Sequence, residues 1–283
     1  MKIIAEDILT KKLLHEIRKY ASLGVKVYLW GESGAGKDTF ALYIHEASGR
    51  KGAFLKVGAY SISPALAESQ FFGHLEGAFS GAEKAREGFL ERANEGTLYL
   101  DLLDSLPMDV QIKIFDALET GRFIPLGGTE ERNSSFLLVA SGQLPLEEAA
   151  SRGKIHPKFV HLFPVCVRIP PLRERKGDII PLAEYFAMGR IKISRRKALV
   201  SYPWPGNVRQ LRNFIEREIS LGKKETGEPA MDFSWESSPD VIPLREMERI
   251  YVRKVLERFG GNKTRAAKAL GITRKTLRRI LKG

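Results

Sequence analysis

Eight residues, Gly31-Glu32-Ser33-Gly34-Ala35-Gly36-Lys37-Asp38, follow the pattern G-x-x-x-x-G-K. Glycines in such a run let backbone N–H groups turn inward, and the closing lysine adds a point charge, so the segment suits phosphate groups. A strand-like run at 25–30 precedes it and helical spacing follows. That places the loop at a helix N-terminus, whose dipole also favours anions. Asp38 stands where most loops of this kind carry Ser or Thr for magnesium. A carboxylate at the end of a second strand is then needed to hold the metal. Thr97-Leu98-Tyr99-Leu100-Asp101 supplies it, making Asp101 the candidate metal-linked residue.

A second group of residues gathers at the other end. From 241 to 283, thirteen Lys/Arg stand against three Asp/Glu, a net of +10 out of +12 for the whole chain. A surplus so concentrated is the footprint of a nucleic-acid contact, the alternative being a solvated basic tail. Helical spacing predicts a helix over 244–259, with Leu244, Met247, Ile250, Tyr251 and Leu256 on its apolar side and Gly260-Gly261 ending it. Asn262 caps a second helix at 263–270, in which Ala266, Ala267 and Leu270 pack inward. Gly271-Ile272 makes a turn, and Thr273 caps a third helix at 274–281. Two helices joined through a glycine turn form the helix-turn-helix pattern. Thr273, Arg274, Lys275, Thr276, Arg278 and Arg279 crowd the last helix. Those near its start should meet base edges; the others, with Lys263, Arg265 and Lys268, should meet phosphates.

The elements that position these groups alternate. Besides 25–30, strand-like runs lie at 54–57, 97–101, 136–140 and 165–169, with helical segments such as 7–22 and 110–120 between them. This predicts a parallel α/β sheet. From 179 to 221 helical spacing takes over, as in a small helical subdomain. Residues 222–240, rich in Gly, Pro, Ser and acidic groups, read as a linker. The 283 residues are 43% apolar, enough for a core and too many for a disordered chain. A single cysteine excludes an internal disulfide framework and fits a reducing cytoplasm. No apolar run approaches the ~18 residues of a membrane span, and the start lacks a signal-peptide pattern.

Several segments resemble the AAA+ domain of sigma-54-dependent transcription activators, the NtrC-like enhancer-binding proteins. Residues 31–38 are similar to that family's GESGTGKE loop, where an acidic residue does follow the lysine. Residues 72–82 resemble FGHEKGAFTGA, and 88–93 with 96–101 resemble the stretch that ends in the Walker B strand. Residues 170–175 resemble PPLRER, 202–211 follow YPWPGNVREL nearly letter for letter, and 261–277 resemble the Fis-type DNA-binding end. The resemblance implies ATP and Mg2+ as cofactors, with Gly31 to Asp38, Asp101 and Arg209 around them. Arg209 resembles the sensor II arginine, which reaches the nucleotide from the helical lid. Gly77, Ala78, Phe79, Ser80, Gly81 and Ala82 would form the loop that touches sigma-54. Small residues allow a mobile tip there and Phe79 offers an aromatic anchor, unless Phe79 tucks inward. The implied fold is an α/β AAA+ P-loop domain at 1–170, a helical lid at 171–221, a linker at 222–240 and an all-α helix-turn-helix domain at 241–283. Implied partners are DNA at an enhancer-like site, sigma-54 RNA polymerase, and further copies of the chain or an active paralogue, from dimer to ring.

Four departures concern one chemistry. The family has Asp-Glu after Walker B, and the glutamate helps activate water; here Leu102 follows Asp101, and leucine cannot accept a proton. The asparagine that holds that glutamate is matched by Gly58, and the sensor I asparagine by Gly142. In the arginine-finger segment, Ile155 and His161 stand at the arginine positions, with Lys154, Lys158 or His161 as partial substitutes. An arginine finger in related phosphoryl transfer is worth ~10³–10⁵ in rate. No catalytic residue is therefore assigned, although Asp104 is a candidate stand-in base. The expectation is a sigma-54-interacting, ATP-binding, DNA-binding regulator with impaired hydrolysis. The rivals are a nucleotide-sensing repressor and a fully active ATPase. Only 30 residues precede the loop, too few for a receiver domain, so control is expected from a partner, nucleotide level or expression. Cys166, in an apolar run, is expected to be a buried thiol. The histidines lack metal-ligand spacing, so no zinc site is expected, and Trp235 has no assigned role.

Overall fold

The computed structural model describes residues 3–229, 248, 251–252, 255–256, 259 and 261–282. The expectations for Trp235, for the linker beyond 229 and for most of the 244–259 helix lie outside the described residues. The chain divides into two units, 1–230 and 231–283.

In the first unit, short apolar runs alternate with helices, and the runs become strands because both of their faces are covered. After α1 (Ile8–Ser22) come β1 (Val27–Trp30), α2 (Lys37–Ser48), β2 (Phe54–Gly58), α3 (Ala67–Phe72), α4 (Phe89–Arg92) and β3 (Thr97–Asp101). Next are α5 (Met108–Thr120), β4 (Arg122–Phe123), β5 (Arg132–Asn133) and β6 (Leu137–Gly142). Helices α6 (Leu146–Ser151) and α7 (Lys158–Leu162) lead to β7 (Val165–Arg168). The main sheet is parallel, in the order β2-β3-β6-β1-β7, and β4 and β5 form a separate antiparallel pair.

Side chains alternate across the sheet. Tyr28, Leu98, Leu100, Leu138 and Ala140 enter the core that holds residues of α5 and α7; Val27, Leu29, Tyr99, Leu137 and Val139 enter the core shared with α1 and α2. This parity decides which polar tips reach the phosphate loop. In β2 and β3, Lys56 stands opposite Tyr99 and Gly58 opposite Asp101, so Lys56 shares the α2 face with Tyr99.

The lid comprises α8 (Ile179–Ala187), α9 (Arg196–Ser201) and α10 (Asn207–Ser220), packed round the buried Trp204, Leu211 and Ile215. Residues 222–229, expected to begin a linker, instead fold back on the lid. Thr226 is buried, and its N–H donates to the Lys192 carbonyl at 3.0 Å. The polar composition that signals a linker also suits a segment pairing its backbone with a neighbour.

In the second unit, Asn262 caps the helix Lys263–Ala269 by accepting from the Thr264 and Arg265 N–H groups at 3.1 Å. A turn through Gly271 leads to the helix Arg274–Lys282. Val252, Ala266, Ala267 and Leu277 form its small core. No helix among the described residues is long and apolar enough to cross a membrane.

Candidate nucleotide site and DNA-binding end

The phosphate loop joins β1 to α2, at the carboxyl edge of the sheet where open α/β folds place their ligands. Lys37 is buried and donates to the carbonyls of Gly31 at 2.7 Å and Glu32 at 3.1 Å. Burial lowers its pKa, against the pull of Asp101, Asp104 and Asp38. At Gly34, φ is +74° and a Cβ would stand 2.4 Å from the Gly206 carbonyl oxygen of the lid. Only glycine permits that approach.

The lid grips the loop in return. The N–H of Val208 donates to the Gly34 carbonyl at 3.0 Å, and Arg209 Nη1 lies 3.1 Å from Ser33 Oγ. Arg209 is thus placed beside the phosphate loop. Asn207, fully buried, had no expected role. Its amide donates to Glu32 Oε2 at 3.1 Å and the Ser33 carbonyl at 3.0 Å, while its oxygen accepts from Leu172 N–H at 2.8 Å. Arg173 makes a two-pronged ion pair with Glu32 at 2.8 and 2.5 Å, and this lowers the Glu32 pKa. Arg175, buried over the Phe40 ring, donates to the Ala35 carbonyl.

Asp38 and Asp101 do converge. Tyr99 Oη, with one proton to donate, lies 2.9 Å from Asp38 Oδ1, 3.1 Å from Asp101 Oδ1 and 3.1 Å from Ser141 Oγ. Ser141 donates to Asp101 Oδ1 at 2.8 Å. Between the carboxylates stands Lys56, paired with Asp38 Oδ2 and 3.2 Å from Asp101 Oδ2. Burial alone would raise the Asp101 pKa, but Ser141, Lys56 and Tyr99 hold it below the ordinary carboxylate value. The two lysine-facing oxygens are the ones not served by the Tyr99 and Ser141 hydroxyls. Magnesium demands near-octahedral oxygen ligands, and an ammonium supplies none, so the donor set does not fit the metal. Nothing in the local sequence marks Lys56, because its role depends on strand register.

Family models match three parts of the chain: the sigma-54 interaction domain over residues 3–166, an AAA+ ATPase lid domain over 173–231, and a Fis-family bacterial regulatory protein over 243–282. The chain belongs to the sigma-54-dependent transcriptional regulators. It is 34% identical to the transcriptional regulatory protein ZraR of Klebsiella oxytoca, over 97% of this chain and 67% of that one. It is also 34% identical to the probable pathogenicity-locus regulator HrpS of Pseudomonas syringae pv. syringae, over 93% of this chain and 90% of HrpS. Among solved structures, NtrX from Brucella abortus in complex with ADP superimposes with a TM-score of 0.72 at 31% identity, covering 99% of this chain and 68% of NtrX. A RuvB mutant from Thermotoga maritima, 14% identical with a TM-score of 0.54, shares the fold alone.

Within this family the four departures have structural counterparts. Leu102 takes a left-handed backbone, φ +59°, just past Asp101, and its N–H donates to Ser141 Oγ at 3.0 Å. At Gly58 a Cβ would stand 2.9 Å from the Tyr60 ring. At Gly142 it would stand 1.9 Å from the hydroxyl of Tyr28, a fully buried residue whose Oη donates to the Leu144 carbonyl at 3.1 Å. Buried Tyr28 therefore fills the space beside Gly142, whereas the Tyr60 ring beside Gly58 is 67% exposed. Ile155 is fully buried, whereas Lys154, Lys158 and His161 are exposed. Asp104 sits on the turn after β3, accepting from Gln143 N–H at 3.3 Å, with its Oδ1 buried and without a hydrogen-bond partner.

The loop at 77–82 closes on itself, Gly77 N–H donating to the Ala82 carbonyl at 2.9 Å. Phe79 is 40% exposed, its ring edge-on to His74 at 5.0 Å, so it is not tucked into the core. Ala82 is buried and anchors the loop, and Ser80 is exposed. Cys166, expected to be buried, is exposed. It lies on the edge strand β7, so one side of its backbone has no neighbouring strand. Partial burial and the nearby Glu147 still push its pKa up to about 11, which does not suit a nucleophile.

At the DNA-binding end, Thr273 Oγ1 accepts from Thr276 N–H at 3.1 Å and caps the last helix. Arg274, Lys275, Arg278 and Arg279 are exposed on that helix, as are Lys263, Arg265 and Lys268 on the preceding one, and Thr276 is half-buried. Leu277 alone of this run points fully into the small core. The basic side chains thus crowd the solvent face of the helix that enters a groove in folds of this type.

Proposed function

We propose that this regulator binds ATP without hydrolysing it at a useful rate and contacts sigma-54 through the Phe79 loop. In this reading it bears on transcription through DNA-bound assemblies, including mixed rings with an active paralogue. The observation that carries the reading is Leu102 in the place of the water-activating carboxylate. Support comes from the buried Tyr28, which fills the space beside Gly142. Ile155, buried in the core, cannot reach a neighbouring subunit as an arginine would. Nucleotide binding is supported by the loop geometry and by the ATP and ADP complexes of NtrX. The proposed roles are Gly31 to Asp38, Asp101 and Arg209 at the nucleotide; Gly77 to Ala82 at sigma-54; and Lys263, Arg265, Lys268, Thr273, Arg274, Lys275, Thr276, Arg278 and Arg279 at DNA.

The test measures ATP binding and steady-state turnover on the same purified protein. Binding with turnover no faster than that of a Lys37→Ala control supports the reading. Turnover matching an active family member overturns it and identifies Asp104 as the base to examine next.

A further inference from the structure

Two carboxylates meet at the carboxyl edge of the sheet, Asp38 from the first turn of α2 and Asp101 from the end of β3. Between them stands a cation that belongs to the chain. Strand register puts it there: Lys56 is opposite Tyr99, both face α2, and the lysine Nζ passes 5.8 Å from the Tyr99 ring centre. The ammonium pairs with Asp38 Oδ2 and, at 3.2 Å, with Asp101 Oδ2. The other two carboxylate oxygens are served by the Tyr99 and Ser141 hydroxyls. Each of the four oxygens of Asp38 and Asp101 has a partner, and one partner carries a positive charge.

We infer that Lys56 is the resident cation of this nucleotide site and that ATP binds here without a divalent metal. The inference rests on the proposed nucleotide binding. A magnesium ion in such a site has two tasks: to neutralise the carboxylates facing the phosphates, and to polarise the phosphoryl group for transfer. An ammonium performs the first, as a point charge with three donors. It is a poor substitute in the second, because it offers no coordination sites to hold phosphate oxygens and water in a fixed array. A site that only holds nucleotide needs the first task alone, so Lys56 and the lost hydrolysis groups belong to one change of use.

The test titrates the full chain with a fluorescent ATP analogue in buffers holding either magnesium or excess EDTA. For the wild-type protein, the two dissociation constants should agree within about threefold. In Lys56→Met the EDTA value should weaken at least tenfold, with magnesium restoring most of it. Lys56→Arg, which keeps the charge, should stay metal-indifferent, showing that charge rather than local packing is responsible. Manganese resonance spectra should show no protein-bound metal in the wild-type complex beyond that held by free ATP, and bound metal in Lys56→Met. Tight binding by wild type only in magnesium overturns the inference and leaves nucleotide binding intact. Absence of binding in both buffers overturns both.

Discussion

Replacing Gly142 by alanine should unfold part of what the four departures built. The added Cβ would stand 1.9 Å from Tyr28 Oη and 2.9 Å from its Cζ, far inside contact distance. Tyr28 cannot swing aside, because it is fully buried and its hydroxyl is bonded to the Leu144 carbonyl. Overpacking a core costs about 1–3 kcal/mol. Forcing the hydroxyl off its partner adds about 1–3 kcal/mol for a buried polar group left unpaired. The expected loss is therefore about 2–6 kcal/mol, and at roughly 2–4 °C per kcal/mol for a unit of this size Tm should fall by about 4–24 °C. Urea unfolding gives the free energies directly. Tyr28→Phe alone should cost about 1 kcal/mol through its lost hydrogen bond. The double variant Tyr28→Phe with Gly142→Ala should be more stable than Gly142→Ala alone, with a coupling of at least about 1 kcal/mol. If Gly142→Ala melts within 1 °C of wild type, or if the two losses simply add, the tyrosine does not occupy that space and the glycine is no barrier to restoring an amide.

Other outcomes follow from the same geometry. Arg209→Ala should weaken ATP-analogue binding about tenfold while leaving Tm nearly unchanged, since its side-chain hydrogen bond to Ser33 is solvent-exposed; calorimetric titration checks it. Arg274→Ala with Lys275→Ala should remove about 1–3 kcal/mol of discrimination per lost base contact, and footprints that keep their sequence preference would deny these residues a base-reading role. Lys268→Ala should instead weaken binding evenly across sequences and lower the salt slope by about one. Cys166, although exposed, should react slowly with thiol reagents. Its pKa is raised to about 11 from an ordinary 9.0, so the thiolate fraction at pH 8 is about a hundredfold lower than for a free cysteine, and the labelling rate should climb with pH up to about 11.

The strands and the phosphate loop were legible because their signals are local. A continuous apolar run such as 98–100, bounded by Thr97 and Asp101, reads the same in isolation as in the sheet. Lys56 was not legible, since a lysine in a strand-like run is ordinarily a solvated side chain. Its meaning needs the pairing of β2 with β3 and the placement of α2 above them. Cys166 failed for a related reason: apolar neighbours predict burial, but whether a strand lies inside or at the edge follows from the order β2-β3-β6-β1-β7. The four departures could be seen as missing side chains. That Tyr28 fills the space beside Gly142 could not, because it is 114 positions away and meets it only across the sheet.

The grip of the lid on the phosphate loop has a further consequence. Glu32 is held at once by Arg173 and by Asn207, and Asn207 also holds the Ser33 carbonyl and the Leu172 N–H. A force that tilts the lid is therefore transmitted to the backbone that would cradle phosphate, without any intervening flexible segment. Such coupling runs equally in both directions. Whatever tightens that cradle stiffens the lid, and whatever pulls on the lid resets the affinity of the cradle, so occupancy of the cradle can be reported without any need for turnover.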